Sequence, residues 1–181
     1  KGTDLILNVK DRKVDYDDGD YTMPGSFGNL PAGEASISPA ENICSGLLVV
    51  DYSIAGIGKL KEPVKIHIDH GFISEIKGGE QAKALAKMLA DVKSELAYNI
   101  AELGIGTNDQ AKITGSVLED EKVIGTVHIG IGNNASYGGK IDVPIHIDCV
   151  ISKPTVVVDG KRLMEDGEFL LDKKSLWWKT K

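Results

Sequence analysis

Residues 124–134 read Ile-Gly-Thr-Val-His-Ile-Gly-Ile-Gly-Asn-Asn and place His128 in the middle of an apolar segment. The apolar and β-branched residues over 125–132 predict a β-strand. The small and polar residues that follow, from Asn133, predict a loop. Binding and catalytic residues concentrate on loops held by a rigid scaffold, so this strand end is a candidate functional position.

Strand patterns also occur on both sides of this stretch. They cover residues 5–10, 46–53, 64–69 and 72–77 before it, and 145–152, 155–158 and 161–164 after it. Asp159-Gly160 joins the last two patterns and is typical of a β-hairpin turn. Between the two β sections, residues 81–103 carry apolar residues at helical spacing, namely Leu85, Met88, Leu89, Val92, Leu96 and Ile100. This pattern predicts one long amphipathic helix.

The expected fold class is therefore α+β. It combines a largely antiparallel or mixed sheet, one long central amphipathic helix and glycine-rich active-site loops. We expect residues 1–181 to form a single metal-binding catalytic domain. The closing segment carries Trp177-Trp178, which we interpret as a buried anchor or a partner contact rather than a binding platform.

Composition restricts the function classes. The chain has 181 residues and a formal net charge of −6, which argues against nucleic-acid binding because that requires phosphate neutralisation by Lys and Arg. Its apolar runs are shorter than the ~20 residues of a membrane span. Cys44 and Cys149 lack metal-site or disulfide-framework spacing, so we expect two reduced thiols in a cytoplasmic protein. The chain begins with Lys1 and not with Met, and we expect it to be part of a longer protein.

The His-x-Asp word occurs twice, as His67-Ile68-Asp69 and as His146-Ile147-Asp148. On a strand, residues two positions apart point to the same face, so each word presents an imidazole beside a carboxylate. This pair of donors suits Zn, Co, Mn or Fe. For the first word we favour the polar face of a half-exposed strand.

Carboxylates that could complete a site occur upstream. Glu102 is expected at the C-terminal end of the helix, where the dipole disfavours an unpaired negative charge and a nearby cation would stabilise it. Glu34 follows Asn29-Leu30-Pro31-Ala32-Gly33, a turn-forming sequence that can hold a side chain without regular structure. Each residue alone has a structural explanation, and their joint occurrence points to a metal centre.

The order of these words resembles that of a known family. The series runs through residues 29–34, residues 101–104, Glu121-Lys122, residues 125–132 and finally His146 with Asp148. It resembles the catalytic half of the thermophilic metallo-aminopeptidases, whose bacterial members are called aminopeptidases T and S. The resemblance covers roughly residues 25 to 165. It implies a cytoplasmic homodimer with an additional N-terminal domain that is absent from this chain.

The resemblance also implies a set of site residues. The metal ligands would be Glu34, Glu102, His128, His146 and Asp148, which would hold two divalent ions (Zn, Co, Mn or Mg). These ions would activate a water that hydrolyses the N-terminal residue of a peptide substrate. The family tyrosine would fall at Ala135, so Tyr137 requires a two-residue loop shift to reach the site and donate a hydrogen bond. Glu121 is a candidate base, or it pairs with Lys122.

Two alternatives stay open. Some relatives on the same scaffold resemble iron-dependent dioxygenases that cleave dihydroxypyridine rings, and a His-His-carboxylate set with one metal would suit iron and oxygen. The other alternative is a catalytically degenerate domain that binds metal without turnover. Metal analysis distinguishes the aminopeptidase from the dioxygenase, since two bound ions favour the aminopeptidase and one ferrous ion favours the dioxygenase.

Overall fold

A computed structural model describes residues 2–170 of the chain, which form fourteen strands and few helices. The first eight strands are β1 (Asp4–Ile6), β2 (Val14–Asp17), β3 (Glu34–Ile37), β4 (Ser45–Val50), β5 (Ser53–Ile54), β6 (Gly58–Lys59), β7 (Val64–Asp69) and β8 (Phe72–Lys77). The remaining six are β9 (Ile100–Gly106), β10 (Thr126–Gly132), β11 (His146–Ser152), β12 (Val156–Val158), β13 (Lys161–Glu165) and β14 (Glu168–Phe169). The α-helices are α1 (Glu80–Asp91) and α2 (Val117–Asp120), and two short 3-10 helices span Glu95–Tyr98 and Ala135–Tyr137.

The strands form three antiparallel sheets. One has the order β1-β4-β7-β8, the largest has the order β2-β3-β9-β10-β11-β5-β6, and a small one has the order β12-β13-β14. Apolar side chains of the first two sheets and of α1 belong to one buried cluster, which includes Leu48, Ile66, Leu85, Ile129 and Ile147. The two large sheets therefore share a single core with the helix.

Strand β10 lies at the centre of the large sheet, and all seven of its residues are buried. Val127, Ile129 and Ile131 alternate along it and join the core. The intervening positions, which include His128 and Gly130, point to the opposite face because side chains alternate along a strand. The polar side of this sheet is therefore separated from the core by one layer of backbone.

The expected long helix is wrong. Helix α1 ends at Asp91, and Lys93 adopts a left-handed backbone with φ of 57° that interrupts the helical path. Leu96, the next member of the helical pattern, is 40% exposed, and Ile100 already belongs to β9. The apolar periodicity beyond residue 92 thus arises from a 3-10 turn and the start of a strand.

The fold class is accordingly mainly β, not α+β with a long central helix. Two strands in particular were not expected: Glu102 lies on β9 and not at a helix end, and Glu34 begins β3 and does not lie in an irregular turn. The predicted strands 64–69 and 72–77 coincide with β7 and β8. The Trp177-Trp178 interpretation lies outside the described residues. Within residues 2–170, none of the helices has the length and apolar character needed to cross a membrane.

Candidate metal centre

Three neighbouring strands align the candidate ligands in register. Gly130 on β10 lies opposite Glu102 on β9 and opposite Asp148 on β11. His128 precedes Gly130 by two positions, and His146 precedes Asp148 by two. Because side chains two positions apart share a face, those of Glu102, His128, His146 and Asp148 project from the same face. The candidate ligands thus converge on the face of the large sheet opposite the core.

Glycines on that face leave room for the ligand side chains. A Cβ atom at Gly104 would lie 2.0 Å from the His128 ring. A Cβ atom at Gly130 would lie 2.8 Å from the Cβ of Glu102 and 2.8 Å from the His146 ring. Because real Cβ atoms do not approach other atoms this closely, these two positions require glycine for the imidazoles to lie over the strands.

His146 is held from three directions. Its Nε2 atom lies 3.0 Å from Oε2 of Glu102 and 3.1 Å from Oδ1 of Asp148. Its Nδ1 atom lies 2.7 Å from the main-chain oxygen of Asn133. The ring of Tyr137 stacks on the imidazole at a centroid distance of 5.2 Å. A carbonyl partner at Nδ1 leaves Nε2 as the nitrogen for a metal, an arrangement common among metal-binding histidines.

His128 is buried among carboxylates. Its Nε2 atom lies 3.5 Å from Oε2 of Glu34 and 3.8 Å from Oε1 of Glu102. Among the described residues, neither Oε2 of Glu34 nor Nδ1 of His128 has a hydrogen-bond partner. Buried polar atoms normally have partners, and an ion between Nε2 of His128 and Glu34 would supply one for Oε2 of Glu34.

A buried lysine joins two further carboxylates of the site. The Nζ atom of Lys122 lies 2.6 Å from Oε1 of Glu34 and 2.7 Å from Oε1 of Glu121. Oδ2 of Asp17 lies 3.8 Å away from the same nitrogen. Burial favours the neutral amine, but the charges of Glu121 and Glu34 outweigh it and raise the pKa of Lys122. The contacts with Glu34 and Glu121 therefore favour the charged ammonium.

The carboxylates also shift the histidines toward their charged forms. Burial would lower the pKa of His128, yet its contact with Glu102 and the charges of Asp148, Glu102 and Glu34 raise that pKa to about 9. For His146 burial acts in the same direction, and contacts with Asp148 and Glu102 raise the pKa to about 11. These shifts favour the charged imidazolium form of both histidines near neutral pH, and a metal ion that binds to them must displace one proton from each ring.

The acidic groups and the tyrosine shift in different directions. Burial raises the pKa of Glu121 to about 7, assisted by the charge of Asp148. Burial would also raise the pKa of Glu102, but its bonds and charge interactions with the two histidines hold it well below its usual range. Burial and the nearby Glu102 and Asp148 charges raise the pKa of Tyr137 far above its usual value, so its hydroxyl keeps its proton.

A cavity of about 250 Å³ opens onto this cluster. Six of the predicted site residues line its walls, namely Glu34, Glu102, Glu121, His128, Tyr137 and Asp148. His146 does not line the cavity, but its ring stacks on that of Tyr137. Two groups have ligand atoms that all lie within 4.8 Å of one another, and these are Glu102, His146, Asp148 and Glu121, His128, Asp148. The other His-x-Asp word does not join them. His67 and Asp69 lie on β7, where His67 pairs loosely with Glu75 at 4.0 Å.

Sequence reasoning did not identify two features of the site. Lys122 entered only as a partner for Glu121, although a lysine within an otherwise apolar and acidic segment is a signal of a buried ion pair. The alternation Leu103-Gly104-Ile105-Gly106 and its counterpart Ile129-Gly130-Ile131-Gly132 also carried a signal. Such a pattern indicates strands with one apolar face and one face without side chains.

The family and curated comparisons agree with each other. The family model described as NicX, 2,5-dihydroxypyridine 5,6-dioxygenase, matches residues 1–171. A curated 2,5-dihydroxypyridine 5,6-dioxygenase of Pseudomonas putida is 25% identical over 164 residues, which cover 84% of this chain and 47% of that protein. The chain thus spans about half the length of this relative.

Two solved structures share the fold. The 2,5-dihydroxypyridine dioxygenase of Pseudomonas putida KT2440 superposes with a TM-score of 0.73 at 24% identity, over 78% of this chain and 44% of that one. AmpT from Thermus thermophilus superposes with a TM-score of 0.69 at 18% identity, over 94% of this chain and 48% of that one. At these identities the superpositions show a shared fold alone.

These matches correct the sequence-based assignment. The resemblance to thermophilic metallo-aminopeptidases, with the peptide-hydrolase activity that it implied, is wrong, because the family model identifies a dioxygenase family over residues 1–171. The ordered Glu, Glu, His and His-x-Asp words follow strands of a scaffold that AmpT also has, and they do not specify the reaction. A dioxygenase of this kind implies a metal, and the described residues include two groups able to hold one.

Proposed function

Because the chain belongs to the NicX family of 2,5-dihydroxypyridine 5,6-dioxygenases, we propose that it forms the metal centre of a dioxygenase that opens a small hydroxylated pyridine ring. The first substrate to test is 2,5-dihydroxypyridine, the compound in the name of the matched family. In place of the two divalent ions expected from the sequence, we propose a single ferrous ion.

The observation that carries this proposal is the position of Asp148. It belongs to both groups of candidate ligands, with His146 in one and His128 in the other. Neither group contains both histidines, so the donor set of non-haem ferrous oxygenases, two imidazoles and one carboxylate, requires His128 and His146 to close on one ion at Asp148. Glu102, which approaches Nε2 of both histidines, is a further donor available to the same ion.

When bound, the iron supplies the redox chemistry that oxygen requires, and the chain's own residues hold and orient the reactants. The main-chain oxygen of Asn133 fixes His146, and Tyr137 stacks on the same ring. Glu121, with a pKa of about 7, is placed in the cavity wall to accept a proton from a substrate hydroxyl. The protonated Tyr137 hydroxyl is available as a hydrogen-bond donor.

The cavity size supports a small substrate. Its volume of about 250 Å³ falls below the roughly 300–1,000 Å³ typical of pockets for drug-sized ligands. A single six-membered ring with two hydroxyls is compatible with this space. Ala55, Val117 and Leu118 supply apolar wall against which such a ring can pack.

The test is oxygen consumption by the chain loaded with ferrous iron under anaerobic conditions and then mixed with 2,5-dihydroxypyridine and air-saturated buffer. We expect equimolar loss of oxygen and substrate without an added reductant, because the ring supplies the electrons and both oxygen atoms enter the product. Unsubstituted pyridine is the control substrate. A chain that binds iron but consumes no oxygen with any dihydroxypyridine would contradict the proposal.

A further inference from the structure

Lys122 is the largest side chain that the described residues bury completely. An ammonium group removed from water requires close anionic partners, because an unpaired buried charge is strongly unfavourable. Oxygens of Glu34 and Glu121 provide them, at 2.6 and 2.7 Å from Nζ. Both glutamates also line the cavity that the candidate iron ligands border.

The cavity walls carry more negative charge than one divalent ion can offset, and Lys122 is a cation beside them. The walls carry the carboxylates of Glu34, Glu102, Glu121 and Asp148. One divalent ion bound by neutral imidazoles offsets only half of their negative charge. The two remaining negative charges favour a further cation: a second divalent ion would offset both of them, and the ammonium of Lys122 offsets one.

We propose that the ammonium of Lys122 takes the place of a second divalent cation and thereby restricts the centre to a single ion. This inference rests on the proposed metal site but not on the ring-cleaving reaction. Centres with two metals hold their ions ~3.5–4 Å apart, with carboxylates available to both. Glu121 belongs to the second group of candidate ligands, with His128 and Asp148, and Glu34 lies 3.5 Å from Nε2 of the same histidine.

The contact distances show which carboxylate oxygens the lysine and a second metal ion would compete for. Transition-metal ions approach carboxylate oxygens to roughly 2.0–2.2 Å. An ion shared by Oε1 of Glu34 and Oε1 of Glu121 would bind the same oxygens that accept hydrogen bonds from Nζ of Lys122. The Lys122 side chain is only 1% exposed, so its ammonium is held away from water beside these oxygens.

The test is metal stoichiometry. Metal-free protein is titrated with manganese(II) by calorimetry, and the bound metal is quantified after gel filtration. We expect a single ion on the wild-type chain, a second ion on Lys122→Met, and a single ion on Lys122→Arg, which keeps a cation. Lys83→Met is the matched control, because Lys83 is an exposed lysine that pairs with Glu80 on α1.

Electron paramagnetic resonance provides a readout independent of binding curves. Manganese(II) in wild-type protein should give the six-line spectrum of an isolated ion, whereas Lys122→Met should give the broadened spectrum of two interacting ions. A second tightly bound ion on the wild-type chain, or only a single ion on folded Lys122→Met, would overturn the inference. Lys122→Gln replaces the methionine variant if the latter does not fold.

The outcomes separate this inference from the proposed function. A single ion without ring cleavage would contradict the dioxygenase proposal and leave the role of Lys122 intact. A wild-type chain that binds two ions and cleaves the ring would support the dioxygenase proposal and contradict the role of Lys122.

Discussion

The Nε2 atom of His146 lies 3.0 Å from Oε2 of Glu102, although 44 positions separate the two residues in the chain. Their strands, β11 and β9, do not pair with each other, because β10 lies between them. The contact crosses β10 at Gly130, the residue opposite both Glu102 and Asp148. The candidate metal centre therefore depends on the register of three strands.

The first prediction concerns the two His-x-Asp words. His146→Ala should lower metal affinity by more than roughly 100-fold, beyond the 10–100-fold effect of losing an outer hydrogen-bond partner. His67→Ala is the matched control, because His67 occupies the equivalent position of the identical word on β7. Metal content after dialysis measures the effect. Equal metal loss in both variants would remove His146 from the ligand set.

The second prediction concerns Gly130. Gly130→Ala should displace Glu102 or His146, since the new Cβ atom would lie 2.8 Å from each of them. We expect at least a 10-fold loss of metal affinity, comparable to the loss of an outer-shell partner. Gly160→Asn is the control, because nothing surrounds Gly160 within 4 Å and asparagine tolerates its φ of 76°. Calorimetric titration of both variants provides the comparison.

The third prediction concerns proton release. In the metal-free protein the pKa values of His128 and His146 are raised to about 9 and 11, so both rings lose a proton when an ion binds. Metal affinity should therefore rise with pH, by up to roughly 100-fold per pH unit below pH 9 when both protons are displaced. Calorimetry in buffers of different ionisation enthalpy counts the protons. Affinity that is flat from pH 6 to 8 would contradict these pKa directions.

The fourth prediction concerns stability without metal. A histidine with a raised pKa stabilises the folded state fully below its unfolded pKa of about 6.5 and loses that contribution as pH rises through the folded value. The raised pKa of Glu121 has the same sign, because its folded form binds a proton up to about pH 7. At about 1.4 kcal/mol per pKa unit, the two histidines and Glu121 together should lower the unfolding free energy of metal-free protein by up to roughly 6 kcal/mol between pH 6.5 and 9. Urea unfolding across this range tests it, with His128→Gln as the less pH-dependent reference.

The fifth prediction concerns the hydroxyl of Tyr137. Tyr137→Phe keeps the ring that stacks on His146 and removes only the hydrogen-bond donor. Metal content should be unchanged, and kcat for ring cleavage should fall on the order of 10–100-fold. Tyr137→Ala, which also removes the stacking, should lower metal affinity in addition. Unchanged turnover in Tyr137→Phe would limit the tyrosine to supporting His146.

The sequence predicted parts of the fold where local pattern and tertiary context agree. Strands β7 and β8 were predicted at their observed bounds because Val64, Ile66 and Ile68 alternate with exposed residues on a half-buried sheet. Residues 93–103 were mistaken for helix because Leu96 and Ile100 continue the helical spacing by coincidence. A left-handed residue such as Lys93 leaves no mark in hydrophobic periodicity.

The residues of the site were easier to predict than their setting. Every side chain proposed from the sequence lies at one cavity or against its wall, although Glu34 and Glu102 were assigned to the wrong elements. Their roles as ligands stay predictions. The reaction could not be derived from these residues, because the donor types suit both hydrolytic and oxidative metal chemistry. The contacts of Lys122 depend on strand register, which the spacing of single words does not contain.

Gly104 and Gly130, which lie under the His128 and His146 rings, lower the stability of the sheet but leave room for the candidate ligands. Glycine within a strand costs roughly 0.5–1 kcal/mol relative to alanine, so replacing Gly104 and Gly130 would strengthen the sheet if the space above them were free. That space is filled by the His128 and His146 rings. Alanine at either position would therefore strengthen the sheet only in a chain whose histidine ring has been replaced by a small side chain, so the gain in stability becomes available only once the metal site has been given up.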